Sequence, residues 1–154
     1  MSRIIRRVRQ AGVYFVSSRT WQSRALFGKP EPAQILLEQL LECRARGFYK
    51  LHAFVIMPDH FHALLTPAIN ASLEKVMQMI KGGSAHTMKQ NLKYTWPIWQ
   101  KGFHDRWIRN AEEYRPRRHY ITANPVEARL TERAEEYPLS SACGKFAMDA
   151  SEFD

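Results

Sequence analysis

Apolar residues in this 154-residue chain fall into short runs that alternate between strand-like and helix-like spacing. Val13–Ser18 (VYFVSS) is β-branched and aromatic, and predicts a strand. Lys29-Pro30-Glu31-Pro32 breaks the pattern. From Ala33 to Arg46, the positions Ile35, Leu36, Leu37, Leu40, Leu41 and Cys43 predict an amphipathic helix closed by Gly47. Phe48–Met57 and His60–Thr66 predict two strands joined at Met57-Pro58-Asp59 as a hairpin. Ser72 is placed to cap a helix carrying Leu73, Val76, Met77 and Ile80, with Gly82-Gly83 as its end. A looser basic stretch reaches Pro97, and Ile98–Ile108 predicts a strand. Ala111–Ala123 predicts a helix with Pro116 as a break point. Asn124-Pro125-Val126-Glu127 has the form of a new helix start, with proline at the first position and glutamate at the third. This order, without internal repeats, predicts an α+β fold: an antiparallel sheet with helices packed on it.

Composition supports one packed domain, with 45% hydrophobic and 12% aromatic residues. Charge narrows the partner. Lys plus Arg number 23 against 15 Asp plus Glu, a net charge of +8, and the pI is near 9.8. The excess is uneven: residues 1–30 hold seven basic side chains and no acidic one, and residues 81–119 hold nine basic against three acidic. Residues 31–80 are nearly neutral, with four basic against five acidic, and 120–154 hold three against seven. The basic blocks also carry Tyr14, Phe15, Trp21, Tyr94, Trp96, Trp99 and Trp107, and nucleic-acid bases stack on such rings. A polyanion partner is expected. Cys43 and Cys143 form no C-x-x-C pair, so neither a disulfide framework nor a cysteine-zinc site is expected. The most apolar stretch, Leu51–Pro58, is far short of a membrane span, and the Arg-rich start lacks a secretory apolar core.

Two features could carry chemistry. His60-Phe61-His62 on a strand sends both imidazoles to one face and Phe61 to the other, and two such imidazoles can share a divalent metal. They interrupt an apolar strand, which costs free energy unless they are solvated, bonded or metal-bound. Tyr120 follows the basic run RPRRH. A phenol ionises near pH 10, so a nucleophilic tyrosine needs a polarised phosphate and nearby guanidinium groups. Asn124 stands four residues further on, on the same face if the helix continues. It reads equally as the cap of a following helix.

The string Leu51–Leu65 (LHAFVIMPDHFHALL) resembles the HUH motif of single-tyrosine transposases. WQKGFHDRWIR (99–109), YITANPVEARL (120–130) and EYPLSSA (136–142) resemble the subgroup called REP-associated tyrosine transposases. The similarity runs from about Val13 to Ala142. It implies an HUH, ferredoxin-like single-tyrosine nuclease fold over 1–142, followed by an acidic tail at 143–154 with Asp149, Glu152 and Asp154. It implies an enzyme that cuts and rejoins single-stranded DNA at hairpins of repetitive extragenic palindromes. Tyr120 would be the nucleophile, leaving a 5′-phosphotyrosyl link and a free 3′-hydroxyl. His60 and His62 would hold Mg²⁺ or Mn²⁺, with Asn124 as a third ligand. Lys81, beside Gly82-Gly83, also fits the family pattern.

Partner expectations follow. Arg3, Arg6, Arg7, Arg19, Arg24, Lys81, Arg115, Arg117 and Arg118 are expected to contact single-stranded DNA. No nucleotide cofactor is expected, because transesterification conserves bond energy and no P-loop motif is present. A monomer acting in the bacterial cytoplasm, at the nucleoid, is expected. The competing reading is a non-catalytic single-strand binder of the same fold.

Overall fold

The computed structural model describes residues 9–154. Arg3, Arg6 and Arg7 therefore lie outside the described residues. Four strands, β1 (Tyr14–Arg19), β2 (Tyr49–Met57), β3 (His60–Pro67) and β4 (His104–Trp107), pair antiparallel in the order β2-β3-β1-β4. Three helices accompany them: α1 (Pro30–Ala45), α2 (Leu73–Leu92) and α3 (Ala111–Glu127). The α+β class and the element order agree with the sequence reading.

Alternation along the strands divides the core in two. Tyr14, Val16, Leu51, Phe54, Ile56, Phe61, Ala63 and Leu65 face α1 and α2. Phe15, Ala53, Val55, Met57 and Leu64 face α3, where they meet Tyr114 and Ile121. Each side chain of this central sheet is thus assigned by parity to one layer or the other. A bulge breaks the parity once: Leu51 pairs with Leu65 and Ala53 with Leu64, so His52 is the extra residue. It is buried, with Nδ1 2.8 Å from the Asp149 carbonyl and Nε2 2.7 Å from the Thr66 hydroxyl.

Three boundaries differ from the sequence reading. The second helix does not stop at Gly82-Gly83; it runs on to Leu92, and Lys93 takes the left-handed C-terminal position at φ 60°. Gly83 instead makes room for α1, since a β-carbon there would lie 2.0 Å from the Gln39 amide nitrogen. That amide donates to the Met79 carbonyl at 2.9 Å and ties the two helices together. The strand expected over Ile98–Ile108 shrinks to His104–Trp107. Gly102 turns the chain at φ +76°, and Lys81 Nζ bonds the Gln100 and Gly102 carbonyls that a strand partner would have taken. The third helix neither splits at Pro116 nor restarts at Asn124. Pro116 lies early in the helix and Pro125 in its last turn, so each removes one intrahelical bond without ending the helix.

The chain beyond α3, from Leu139 through the acidic tail, is seated on the fold. Ser140 bridges Val55, Leu139 accepts from the Ile56 amide, and Asp149 exchanges bonds with the Leu51 backbone. Asp149 also receives Arg44 at 2.9 Å, and Asp154 pairs with Arg118 at 2.7 Å. No helix among the described residues is long and apolar enough to cross a membrane.

The two adjacent glycines make opposite predictions. Gly82 is exposed with open space around it, so Gly82→Ala should stabilise by about 0.5–1 kcal/mol through helix propensity. Gly83→Ala should lose that gain, because the methyl evicts the Gln39 amide at a cost of about 1 kcal/mol. Denaturant midpoints of the two variants measure the difference.

Candidate functional site

The site stands where β1 and β3 pair and α3 crosses them. Strand parity sends Phe61 into the α1–α2 layer, where it is fully buried, and His62 into the α3 layer. The two imidazoles of His60 and His62 lie with ring centroids 4.7 Å apart. On α3, Tyr120 reaches the same place: its ring is 5.2 Å from that of His62 and 6.2 Å from Phe15. Phe15 is the floor, stacked on His62 at 5.3 Å. Tyr120 is 42% exposed, so its ring is anchored on one edge and open to solvent on another. A phenol in that setting is reachable by a macromolecular substrate.

Each histidine is held through Nδ1. Ser17, directly opposite His62 in the β1–β3 register, hydrogen-bonds its Nδ1. Asp59 Oδ1 bonds His60 Nδ1 at 2.6 Å, and Asp59 Oδ2 pairs with Arg19 at 2.9 Å. Such outer partners fix the ring and leave the Nε2 lone pair free, the arrangement common among metal-binding imidazoles. Burial pushes His62 down to about 3, helped by the neighbouring charges of His60, Arg19 and Arg117. It is neutral at working pH, as a ligand must be.

Four buried side-chain polar atoms among the described residues have no hydrogen-bond partner: Ser18 Oγ, Tyr114 Oη, His62 Nε2 and, on the helix that carries Tyr120, Asn124 Oδ1. An orphaned buried acceptor costs about 1–3 kcal/mol, and native proteins keep few without a reason. Because α3 continues through Pro125, Asn124 stays four residues from Tyr120 on one helix face, and its side chain caps nothing. That removes the cap reading. The donor set of two imidazoles and one amide oxygen fits a divalent cation and carries no charge of its own, so it would leave the full charge for a phosphate. Among the described residues, no group of three or more His, Cys, Asp and Glu is placed to hold a metal ion.

The expected cationic residues separate. Arg117 sits at the site, with its guanidinium 4.9 Å from the Phe15 ring centroid, and Arg19 reaches it through Asp59. Arg115 is exposed on α3. Arg118 is paired with Asp154, and Lys81 is half-buried against backbone carbonyls, where loss of solvent lowers its pKa. Arg24 lies beyond the end of β1, among aromatic rings. Sequence reasoning missed Phe15, Ser17 and Asp59. Only Asp59, beside His60, carried a local signal; the other two depend on strand register.

A model of the IS200-like transposase family matches residues 18–124, spanning both histidines, Tyr120 and Asn124. The chain belongs to the IS200-like transposase family. A similar curated member is the REP-associated tyrosine transposase of Escherichia coli K12, 28% identical over 109 residues, which are 70% of this chain and 63% of that protein. This IS200-like chain thus spans somewhat under two thirds of that relative's length. A REP-associated tyrosine transposase solved with a REP hairpin superposes with a TM-score of 0.75 at 22% identity, over all of this chain and 96% of that one. A Deinococcus radiodurans R1 protein described as a transposase gives 0.55 at 17% identity, over 77% of this chain and 95% of its own. Both superpositions establish the shared fold.

Acid should unfold this member of the family early. An unfolded histidine titrates near 6.5, whereas His62 stays neutral in the fold until about pH 3; burial depresses His52 in the same direction. Between those values the unfolded chain binds more protons, so stability is complete above about pH 6.5 and falls as pH drops towards 3. Denaturant midpoints measured in chelator from pH 7 to 4.5 should decline, and His62→Gln should flatten the decline.

Proposed function

We propose that this IS200-like transposase nicks and rejoins single-stranded DNA beside REP-type palindromic hairpins, with Tyr120 as the nucleophile. One observation carries the reading. An accessible tyrosine ring lies against a histidine pair, His62 Nε2 has no hydrogen-bond partner, and neither has Asn124 Oδ1, one turn along the helix from Tyr120. Tyr120 meets the histidine pair of its own chain, so one copy can assemble the site.

The chain's own residues account for most of the chemistry. Phe15 and His62 hold the Tyr120 ring by its edges, which restricts where the hydroxyl can point. In the first step the Tyr120 Oη–P bond forms and the bond from phosphorus to the 3′-oxygen breaks. The phenolic proton leaves, and the departing 3′-oxygen takes up a proton to become a free hydroxyl. The fragment on the 3′ side of the nick stays on Tyr120 through its 5′-phosphate as a phosphodiester, and attack by a 3′-hydroxyl reverses the step. Arg117, stacked on Phe15, and Arg19, held by Asp59, offer positive charge to the phosphate oxygens. His60, His62 and Asn124 would hold Mg²⁺ or Mn²⁺, which when bound supplies Lewis-acid polarisation of the phosphate. The exposed Arg115 would guide the strand by charge alone.

Incubating the protein with a hairpin oligonucleotide and Mn²⁺ should give a covalent adduct on a denaturing gel, and Tyr120→Phe should give none. Binding without an adduct across many hairpins would mark a non-catalytic binder instead. His62→Ala or Asn124→Ala should cut adduct formation at least about a hundredfold while sparing most DNA affinity. Equal loss of affinity would count against the ligand assignment. Mn²⁺ should act at lower concentration than Mg²⁺, since Mg²⁺ prefers all-oxygen surroundings. Log affinity should fall with log salt by about 0.7 per phosphate neutralised.

A further inference from the structure

The two histidines are held by different kinds of partner. His60 Nδ1 meets a carboxylate, Asp59 Oδ1, at 2.6 Å, whereas His62 Nδ1 meets the neutral Ser17 hydroxyl. An ionised carboxylate can only accept, so the hydrogen of a neutral His60 ring is on Nδ1 and the lone pair on Nε2. The same carboxylate is shared. Its other oxygen takes one bond at 2.9 Å from a terminal nitrogen of Arg19, the residue directly opposite His60 on β1. One anion thus stands between a ring that would bear a metal and a guanidinium.

All three side chains leave a fixed backbone. The Asp59 carbonyl accepts from the Thr20 amide at 2.9 Å and from the Thr20 hydroxyl at 3.1 Å, and the Pro58 carbonyl accepts from the Phe27 amide at 2.8 Å. The β2–β3 turn is therefore pinned to the chain beyond β1. Freedom remains in the side chains, and it is uneven: His60 is 17% exposed, Asp59 29% and Arg19 46%. Arg19 is the long, open member, and among the described residues its guanidinium makes no other hydrogen bond. A phosphate arriving at the site can engage it without disturbing the turn or the ring.

Electrostatics gives this arrangement a direction. A metal on Nε2 draws electrons from the ring, and a hydrogen bond from Nδ1–H to an anion returns them, so such a carboxylate strengthens the hold on the metal. While Arg19 bonds Asp59, it offsets part of that charge and keeps a cation near the ligand position. Once phosphate oxygens take Arg19, Asp59 is left to His60 alone. We propose that Asp59 is a positioning residue restrained by Arg19, so that a DNA phosphate engaging Arg19 tightens the hold of His60 on its divalent metal. This rests on the metal role given to His60 above. By linkage, the metal tightens DNA binding by the same factor.

The test reads Mn²⁺ affinity from the electron paramagnetic resonance signal of the free ion, with no cleavage step. Without DNA, Arg19→Gln should bind Mn²⁺ about two- to fivefold more tightly than unaltered protein, the range a partly exposed ion pair supports. Asp59→Asn should weaken binding about tenfold or more, and in that background Arg19→Gln should change nothing further. A short single strand added to Tyr120→Phe protein should tighten Mn²⁺ binding, and Arg19→Gln should remove part of that gain. Thermal melts verify that each variant is folded. The proposal is overturned by no tightening in Arg19→Gln, or by a DNA gain that Arg19→Gln leaves whole. Equal tightening with and without the Asp59 carboxylate also overturns it, and would mean bare repulsion between Arg19 and the metal. Should Asp59→Asn not fold, nuclear magnetic resonance of the metal-free protein decides: the His60 Nδ1 proton should move downfield in Arg19→Gln, and an unmoved resonance sinks the idea. Failure of the transposase reading would show separately, as an absent adduct with unaltered protein.

Discussion

Strand β3 has to serve two layers at once, and everything else in the molecule is arranged around that requirement. It lies between β2 and β1, covered by α1 and α2 on one side and α3 on the other, so consecutive side chains enter different cores. Phe61 anchors one layer while His62, its neighbour, enters the other. A polar ring could not be pressed into the α3 layer unless something engaged its nitrogens. Ser17 engages one of them from across the ladder, and the other has no hydrogen-bond partner. A shift of one residue in the β1–β3 pairing would exchange Phe61 and His62, costing both the packing and the chemistry.

The helix that brings Tyr120 is unusual on its own terms. It contains two prolines, and Asn124, the residue before the second, stays helical where a proline usually disfavours it. Intrinsic propensity does not hold that segment. Tyr114, Ile121 and Pro125 are buried against the sheet, and tertiary contact compensates for the missing hydrogen bonds. The stretch around Tyr120 is thus kept in place by the same layer that receives His62.

Much of this was legible in the chain. His60, His62 and Tyr120 sit in short, characteristic strings, and the alternation of strand and helix periods was enough for the α+β class. What could not be read depended on partners distant in sequence. Gly82-Gly83 looks like a helix end until Gln39 from α1 is seen filling the space beside it. Ile98–Ile108 looks like a strand until Lys81 takes its carbonyls. Asn124 reads locally as the cap of a new helix, and the continuity of α3 takes that explanation away. Phe15 and Ser17 carried no local mark, since their importance comes from facing His62 and Tyr120.

The seated tail has an implication of another kind. β2 is nine residues long and almost wholly apolar, and it forms one border of the sheet. Bare, such a border is a template on which neighbouring chains can add strands and polymerise. Leu139, Ser140 and Asp149 occupy its backbone groups, and Asp149 and Asp154 tie the same stretch to Arg44 and Arg118. The last stretch of the chain therefore works as a self-supplied guard against fibre growth, and a shortened protein would give up its solubility before its fold.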